Sequence, residues 1–500
     1  VKKYLLGVDN GGTYIKAALY DFKGKQIGIT KEYNEKIIPG IGMSEYNQDT
    51  LWQINCNCIK NVIEGTGIDP NEIACLGISG QGCGFYAIDS KGQNICNAIS
   101  SSDQRAVKYV EKWEKDGTSE KLFDLIFRYS TPGHINAILA WLKDNEPDNY
   151  DKIAYLFSMK DFLIYRLTGE VVSGYGCQSA SCLMNMNTNE FDKNLADAFG
   201  IQEVIDKFGP LKWDIEICGY ITDEAADLCG CMSGTPVCGG CHDVVASIIA
   251  MGVDNSAPFF VITGTHAING YISDTPILDK SVLSTELFAF PGGYMIEDSF
   301  PASSGILEWV IDLFYSREEK TLTDIYNEIN QMVDSISPDE SDLIFLPYLN
   351  GQRDNLKARG TWIGLLPHHT KAHMFRAVYE AVAFTHMRHL ENLFNNRTKP
   401  EMIRMAGGAT NSTVWIQLFA DVIDIPLHVV PKEEMGTKGA AIVAAVSAKI
   451  YPDVKTAISN MTSVGKVFEP RQDFSAIYQK KYLRFKSIVN KTDSIWTDFN

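Results

Sequence analysis

No stretch of this sequence stays apolar long enough to cross a membrane. The longest runs, around Val244–Val253 and Gly439–Ala448, are about half of the roughly 20 residues a span requires. Lys2 and Lys3 lead into an apolar stretch that stops at Asp9, short of the roughly 7–15 residues of a secretory h-region. These features predict a cytoplasmic protein. Positive charge is scarce too: 45 Lys and Arg stand against 62 Asp and Glu, a net charge of -17. Such a surface repels phosphate backbones and anionic lipid, which excludes nucleic acid and membrane as partners. A phosphorylated ligand would have to be held locally, by backbone N–H groups and a metal ion.

The familiar nucleotide motifs are missing. No G-x-x-x-x-G-K-[ST] occurs, which excludes a P-loop. No G-x-G-x-x-G lies between a strand and a helix, which disfavours a dinucleotide unit. Linkers and low-complexity tracts are also lacking. What is present is an ordinary globular composition, 45% apolar over 500 residues, enough for roughly two to four domains.

Twelve cysteines are present. Without a secretion signal they read as free thiols rather than disulfides. Cys229, Cys231, Cys238, Cys241 and His242 form a cluster with one C-x-x-C. A structural zinc needs paired C-x₂₋₄-C knuckles, and Cys229 and Cys231 have one residue between them. Buried small thiols are the expectation.

Two hairpins punctuate the chain. Tyr4–Val8 runs into Asp9-Asn10-Gly11-Gly12-Thr13 and returns as Tyr14–Tyr20. Phe259–Ile262 runs into Thr263-Gly264-Thr265-His266 and returns as Ala267–Ser273. This repetition predicts two related α/β domains, 1–245 and 246–500. Strands are also expected at Ile73–Ile78, Phe85–Ile88, Pro236–Cys238 and Ile403–Met405. Helices are expected at Asn136–Asn145, Asp151–Leu167, Asp243–Gly252, Ala372–Asn395, Ser412–Val422 and Gly439–Ala448.

Each Gly-rich turn has two readings. Gly11 and Gly12 either close a plain hairpin or bring backbone amides up to phosphate, with Asp9 beside them as a metal ligand. Gly264 and Thr265 pose the same choice. Asp243, after Gly239-Gly240, is either a helix N-cap or a carboxylate facing a cleft. Gly407 and Gly408, with Asn411, suit either tight strand–helix packing or a nucleotide resting on a helix start.

The combination resembles the FGGY carbohydrate kinases, from Tyr4 to about Tyr482. Gly360-Thr361-Trp362-Ile363-Gly364-Leu365, followed after seven residues by His373–Glu380, is similar to the family's second signature at every fixed position. Leu346–Arg353 and Tyr165–Glu170 also resemble family patterns. In the first signature this chain departs, with Ile135 and Ile138 where the family has Pro, Ser or Thr and then Lys. The resemblance implies an α/β fold of two ribonuclease H-like domains, of the actin and sugar-kinase type, around a central cleft. It implies ATP and Mg2+, with Asp243 as base and Asp9 on the metal and phosphate side. It further implies phosphate contacts at Gly11, Gly12, Thr13, Gly264 and Thr265, and adenosine contacts at Gly407, Gly408 and Asn411.

The segment after Ile73–Ile78 separates the subfamilies. Glycerol kinases carry Asn-Gln-Arg-Glu and D-xylulose kinases Gln-Met-His, where this chain has Gly80-Gln81-Gly82-Cys83. That run, with Ser101–Ala106, Trp141–Pro147, Asp243-Val244-Val245 and Ser303–Trp309, is most similar to the L-xylulose kinases, which phosphorylate L-xylulose and 3-keto-L-gulonate. D-xylulose or another ketose or polyol is the alternative. Gln81, Gly82, Asp103, Arg105 and His134 are the sugar-pocket candidates beside Asp243. For Asp103 and Arg105 the competing reading is an ion pair, and for His134 a helix-start residue. An actin-like ATPase switch is the reading from another class. A homodimer is the base-rate expectation for the assembly.

Overall fold

The structure is a computed structural model. It describes all of the chain except residues 265–266, 301–302, 317–319, 350, 353–354, 356, 432 and 500. Two seven-stranded sheets dominate it. In the first, Tyr4–Asn10, Tyr14–Asp21 and Gln26–Tyr33 form an antiparallel meander. Ile73–Gly80 then pairs parallel with Tyr4–Asn10, and Pro236–Cys238 pairs parallel with Ile73–Gly80. The second sheet repeats this order. Phe259–Thr263, Ala267–Ser273 and Tyr294–Phe300 form the meander, followed by parallel Ile403–Gly407 and Leu427–Val429. Ser284–Leu287 adds an edge strand to it.

The Ile73–Gly80 strand is buried along its whole length, as a parallel strand covered on both faces must be. Leu6, Val8 and Ile78 pack on one face with the helix Gln48–Thr66. Leu5 and Ala18 face a different core, shared with Phe260 and Met295 of the second sheet and with the helices Asp243–Ala250 and Met435–Ser447. The latter helix comes from the last quarter of the chain yet lies on the first sheet. Gly7 and Gly77 permit that approach, since a Cβ at either would overlap the carbonyls of Thr437 or Ala440.

A smaller unit is inserted in the first domain. Its sheet joins Glu45–Tyr46, Ala98–Ser100, Gly84–Ile88 and Tyr155–Phe157 around a core with the helix Ile135–Asn145. Here one expectation fails. The helix anticipated over Asp151–Leu167 is instead a short helix to Lys152, the strand Tyr155–Phe157, and a helix Met159–Thr168. Ser158 starts that last helix, accepting from the Asp161 N–H, and the strand is captured by Gly84–Ile88. The 3.6-residue spacing ran through both pieces and hid the break.

Candidate active site

Four Gly-rich turns lie at the carboxyl ends of parallel strands, where open α/β sheets bind ligands. The first is the Asp9–Thr13 turn. Asn10 is fully buried, its Oδ1 accepting from Asn55 Nδ2 at 2.8 Å. The Gly11 N–H donates to Tyr14 O at 3.1 Å and closes the turn. Gly12 O accepts from the Tyr46 hydroxyl at 2.9 Å. A Cβ at Gly12 would stand 3.4 Å from Gln81 Nε2, so this turn and the Gln81 side chain are neighbours. Thr13 is exposed.

Asp9 faces the first turn of the Met435–Ser447 helix. Burial, opposed by the charge of Lys16 and reinforced by that of Asp243, raises its carboxyl to about 6. The residue is partly exposed, and its carboxylate lies near the charges of Lys16, Asp243 and Glu434. Among the described residues no group of three or more His, Cys, Asp or Glu is arranged to hold a metal. Mg2+ here would therefore rest on Asp9, water and phosphate oxygens, the usual habit of that ion.

Asp243 opens its helix, and His242 occupies the N-cap without a side-chain cap bond. The aspartate is thus a first-turn residue rather than the cap, with its side chain 49% exposed. The turn before it is fastened. Fully buried Lys160 donates to Gly239 O at 2.8 Å, and the Gly240 N–H donates to Asp214 O at 3.1 Å. Gly240 has φ 61°, a left-handed conformation that favours glycine.

The sugar-side candidates separate. Gly82 lies against His242, the residue before Asp243: a Cβ at Gly82 would stand 3.1 Å from His242 Cβ. Gln81 Oε1 is buried without a hydrogen-bond partner among the described residues. Asp103 and Arg105 are spent on each other. Arg105 Nε donates to Asp103 Oδ1 at 2.9 Å, and Nη2 donates to Asp103 Oδ2 at 2.9 Å and Glu45 Oε1 at 2.7 Å. The Ser44 N–H also donates to Asp103 Oδ2 at 2.7 Å. With Asp103 fully buried, this cluster braces the turn after Ala98–Ser100. His134 is buried at the N-cap of Ile135–Asn145. Its Nδ1 accepts from the Thr131 N–H at 3.0 Å, and its Nε2 lies 3.2 Å from Arg128 Nη2. Burial and then the charge of Arg128 hold it well below the ordinary histidine range, so it is neutral.

Arg128 and Glu286 were invisible in the sequence. They pair at 2.6 Å across the two domains, both nearly buried, and no local motif marks either.

On the nucleotide side, Thr263 ties two turns together. Its Oγ1 donates to Ala406 O at 3.1 Å and accepts from the Ala409 N–H at 3.1 Å. Ser304 Oγ contacts Thr263 O at 3.1 Å and Gly264 O at 2.9 Å. Thr265 lies outside the described residues. Gly408 and Asn411 line a cavity of about 410 Å³ with Ser304, Tyr326, Asn330 and Trp415. Gly407 adjoins it with φ 103°. The helix behind starts at Thr413, capped by Ser412. Ser304 and Asn330 are additions the sequence did not single out. The thiols of Cys229, Cys231, Cys238 and Cys241 are free and buried.

Residues 4–250 match the FGGY family of carbohydrate kinases, N-terminal domain, and residues 259–448 match its C-terminal domain. The chain is 33% identical over 487 residues to the probable L-xylulose kinase of Pasteurella multocida (strain Pm70), covering 97% of this chain and 98% of the relative. It is 33% identical over 498 residues to the L-xylulose/3-keto-L-gulonate kinase of Escherichia coli (strain K12), covering 97% of each. The ligand-bound xylulose kinase from Lactobacillus acidophilus superposes with a TM-score of 0.92 at 24% identity, over the whole of both chains. The Plasmodium falciparum glycerol kinase with ADP gives 0.88 at 19% identity, over 98% of each. Twin hairpin-led domains with Gly-rich turns at facing strand ends, and family matches over both halves, lead to one conclusion: the chain belongs to the FGGY family of carbohydrate kinases, phosphotransferases that act on sugars with ATP as donor.

Proposed function

We propose that this kinase phosphorylates a hydroxyl of a ketose, L-xylulose first and 3-keto-L-gulonate second, by direct in-line transfer from ATP. The observation that carries the reading is the half-exposed Asp243 carboxylate at a helix N-terminus, close enough to Asp9 to act on its charge and next to His242, which Gly82 faces. The acceptor hydroxyl sits against Asp243, which orients it and takes its proton as the phosphorus–oxygen bond forms. Phosphoryl transfer needs alignment and charge neutralisation more than a strong base, so a carboxylate suffices. Gly12 and Gly264 offer backbone to the phosphates, and Gly11, whose N–H closes on Tyr14 O, shapes the first of these turns. Gly407, Gly408 and Asn411 serve adenosine in the cavity beside them. Mg2+ on the Asp9 side would neutralise phosphate charge. Closure of the domains excludes water, the competing acceptor.

Gly82 supports a sugar longer than glycerol. An Arg there would grip a small polyol, and glycine leaves that space open. The names of the two 33% relatives point to L-xylulose. The test is ADP release on a panel of ketoses, polyols and sugar acids, with wild type and Asp243→Asn. L-xylulose should show the highest kcat/KM, well above glycerol. The variant should lose about 10²-fold or more in kcat, with ATP binding retained. A preference for glycerol overturns the substrate, and a fully active variant overturns the base. ATP turnover independent of any sugar would favour the switch reading.

A further inference from the structure

Glu286 sits on Ser284–Leu287, the edge strand of the second sheet, but its strand is seated on the first domain. The Thr285 N–H donates to Phe127 O at 3.2 Å, and the Leu287 N–H donates to Ser179 Oγ at 3.0 Å. The carboxylate is 5% exposed as a residue and held from two sides. Arg128 Nη1 donates to Oε1 at 2.6 Å, and Ser284 Oγ lies 3.3 Å from the same oxygen. Oε2 lies 3.2 Å from Nε2 of His242. The other ring nitrogen of His242, Nδ1, is 3.8 Å from Asp243 Oδ1. One imidazole therefore lies between a carboxylate of the second domain and Asp243 of the first, within ion-pair distance of both, with Nε2 making no hydrogen bond among the described residues.

The charges around that ring set its state. Asp243 is its own chain neighbour, and Glu286 approaches from the edge strand, with Glu297 beside it on Tyr294–Phe300. Asp214 lies within reach of its charge on the side of the Gly239-Gly240 turn. Among the described residues, Arg128 is committed to Glu286, and Lys160 faces Asp214. Burial opposes the charged ring, but Asp243 and Glu286 outweigh it and raise His242 to about 10. Burial likewise opposes the Glu286 carboxylate, and Arg128 and His242 hold it well below the usual range. The two carboxylates thus favour the charged form of the His242 ring, which lies 3.8 Å from Asp243. Gly82 against the ring leaves it little room to turn.

We propose that Glu286 is a positioning residue for phosphoryl transfer: anchored by Arg128, its carboxylate pairs with the His242 ring beside Asp243, so that the base is set by the second domain as well as the first. This rests on Asp243 being the base. A partner that orients a reacting group through another is worth about 10- to 100-fold in activity, and two residues acting in series are not additive.

The experiment is a double-mutant cycle of Glu286→Gln and His242→Gln, read by kcat, by both KM values, and by ATP affinity. Glu286→Gln should lower kcat about 10-fold or more, with the ATP KM near wild type. The double variant should be no worse than His242→Gln alone. An unchanged kcat in Glu286→Gln, or losses that multiply in the double variant, overturns the proposal. Where the variants fold poorly, ¹⁵N NMR of the wild-type histidines at pH 8 decides it. Both ring nitrogens of His242 should be protonated, and a neutral ring overturns the proposal. Asp243→Asn separates the two readings: if it is inactive while Glu286→Gln is normal, only the positioning role fails.

Discussion

Gly436 and Asp9 touch across 427 residues of sequence: a Cβ on Gly436 would overlap the Asp9 carboxylate. The helix Met435–Ser447 thus presents bare backbone to the Asp9 carboxylate, the proposed metal-side residue. Gly436→Ala should push Asp9 aside or lift the helix start. We expect kcat to fall by about tenfold or more, since misplacement of about an ångström costs that much or more. The sugar KM should change little. Steady-state kinetics at varied Mg2+ checks this, and wild-type kcat would remove Asp9 from the site.

The ion cluster of Asp103, Arg105 and Glu45 leads to a prediction about stability rather than substrate. Arg105 is 3% and Asp103 0% exposed at the side chain. Removing one member of a buried pair strands the other, at about 3–5 kcal/mol. Arg105→Met should therefore lower the denaturation midpoint strongly and leave the sugar KM of the folded enzyme near wild type. A raised sugar KM with unchanged stability would restore the sugar-contact reading.

Asp214 offers a pH test. It is 1% exposed, and neither carboxylate oxygen has a hydrogen-bond partner among the described residues. Burial, opposed by the charges of Lys160 and His242, raises it to about 7. The folded state therefore binds its proton more tightly than the unfolded state does. Its contribution is favourable at low pH and is lost as pH rises from about 4 to 7. Asp214→Asn does not titrate and should raise Tm relative to wild type, more at pH 8.5 than at pH 5. The opposite order in thermal melts would refute the assignment.

Gly408 tests the nucleotide cavity. A Cβ there would stand 2.9 Å from Ser304 Oγ and 3.4 Å from Thr263 O. Gly408→Val should raise the ATP KM severalfold and leave the sugar KM alone. Unchanged ATP affinity in calorimetry would move adenosine elsewhere.

The turns were legible because their chemistry is local. Both hairpins, the Gly239-Gly240 turn and the Gly407-Gly408 turn stand where glycine and strand patterns placed them. Arg128, His242 and Glu286 were not read as a unit, because three separate elements bring them together and none carries a motif. The Asp103–Arg105 pair could be seen two residues apart. Its full commitment to Ser44 and Glu45 could not, since that depends on the pairing of Glu45–Tyr46 with Ala98–Ser100, across 54 residues at Glu45 and Ile99. The lost helix over Asp151–Leu167 shows the same limit. Periodicity recorded burial on both sides of Ser158, while the break was set by a cap and by a strand partner from elsewhere.

The helix Met435–Ser447, lying on Tyr4–Asn10, also sets a timetable for the nascent chain. Leu5 and Ala18 belong to a core that Ala441 and Val443 complete. At about 5–20 residues per second, the ribosome takes on the order of half a minute or more to make the intervening chain. Throughout that time the Leu5 and Ala18 face of the first sheet has the helix Asp243–Ala250 beside it and lacks Met435–Ser447. The core of the first domain is thus completed only when the last quarter of the chain is made.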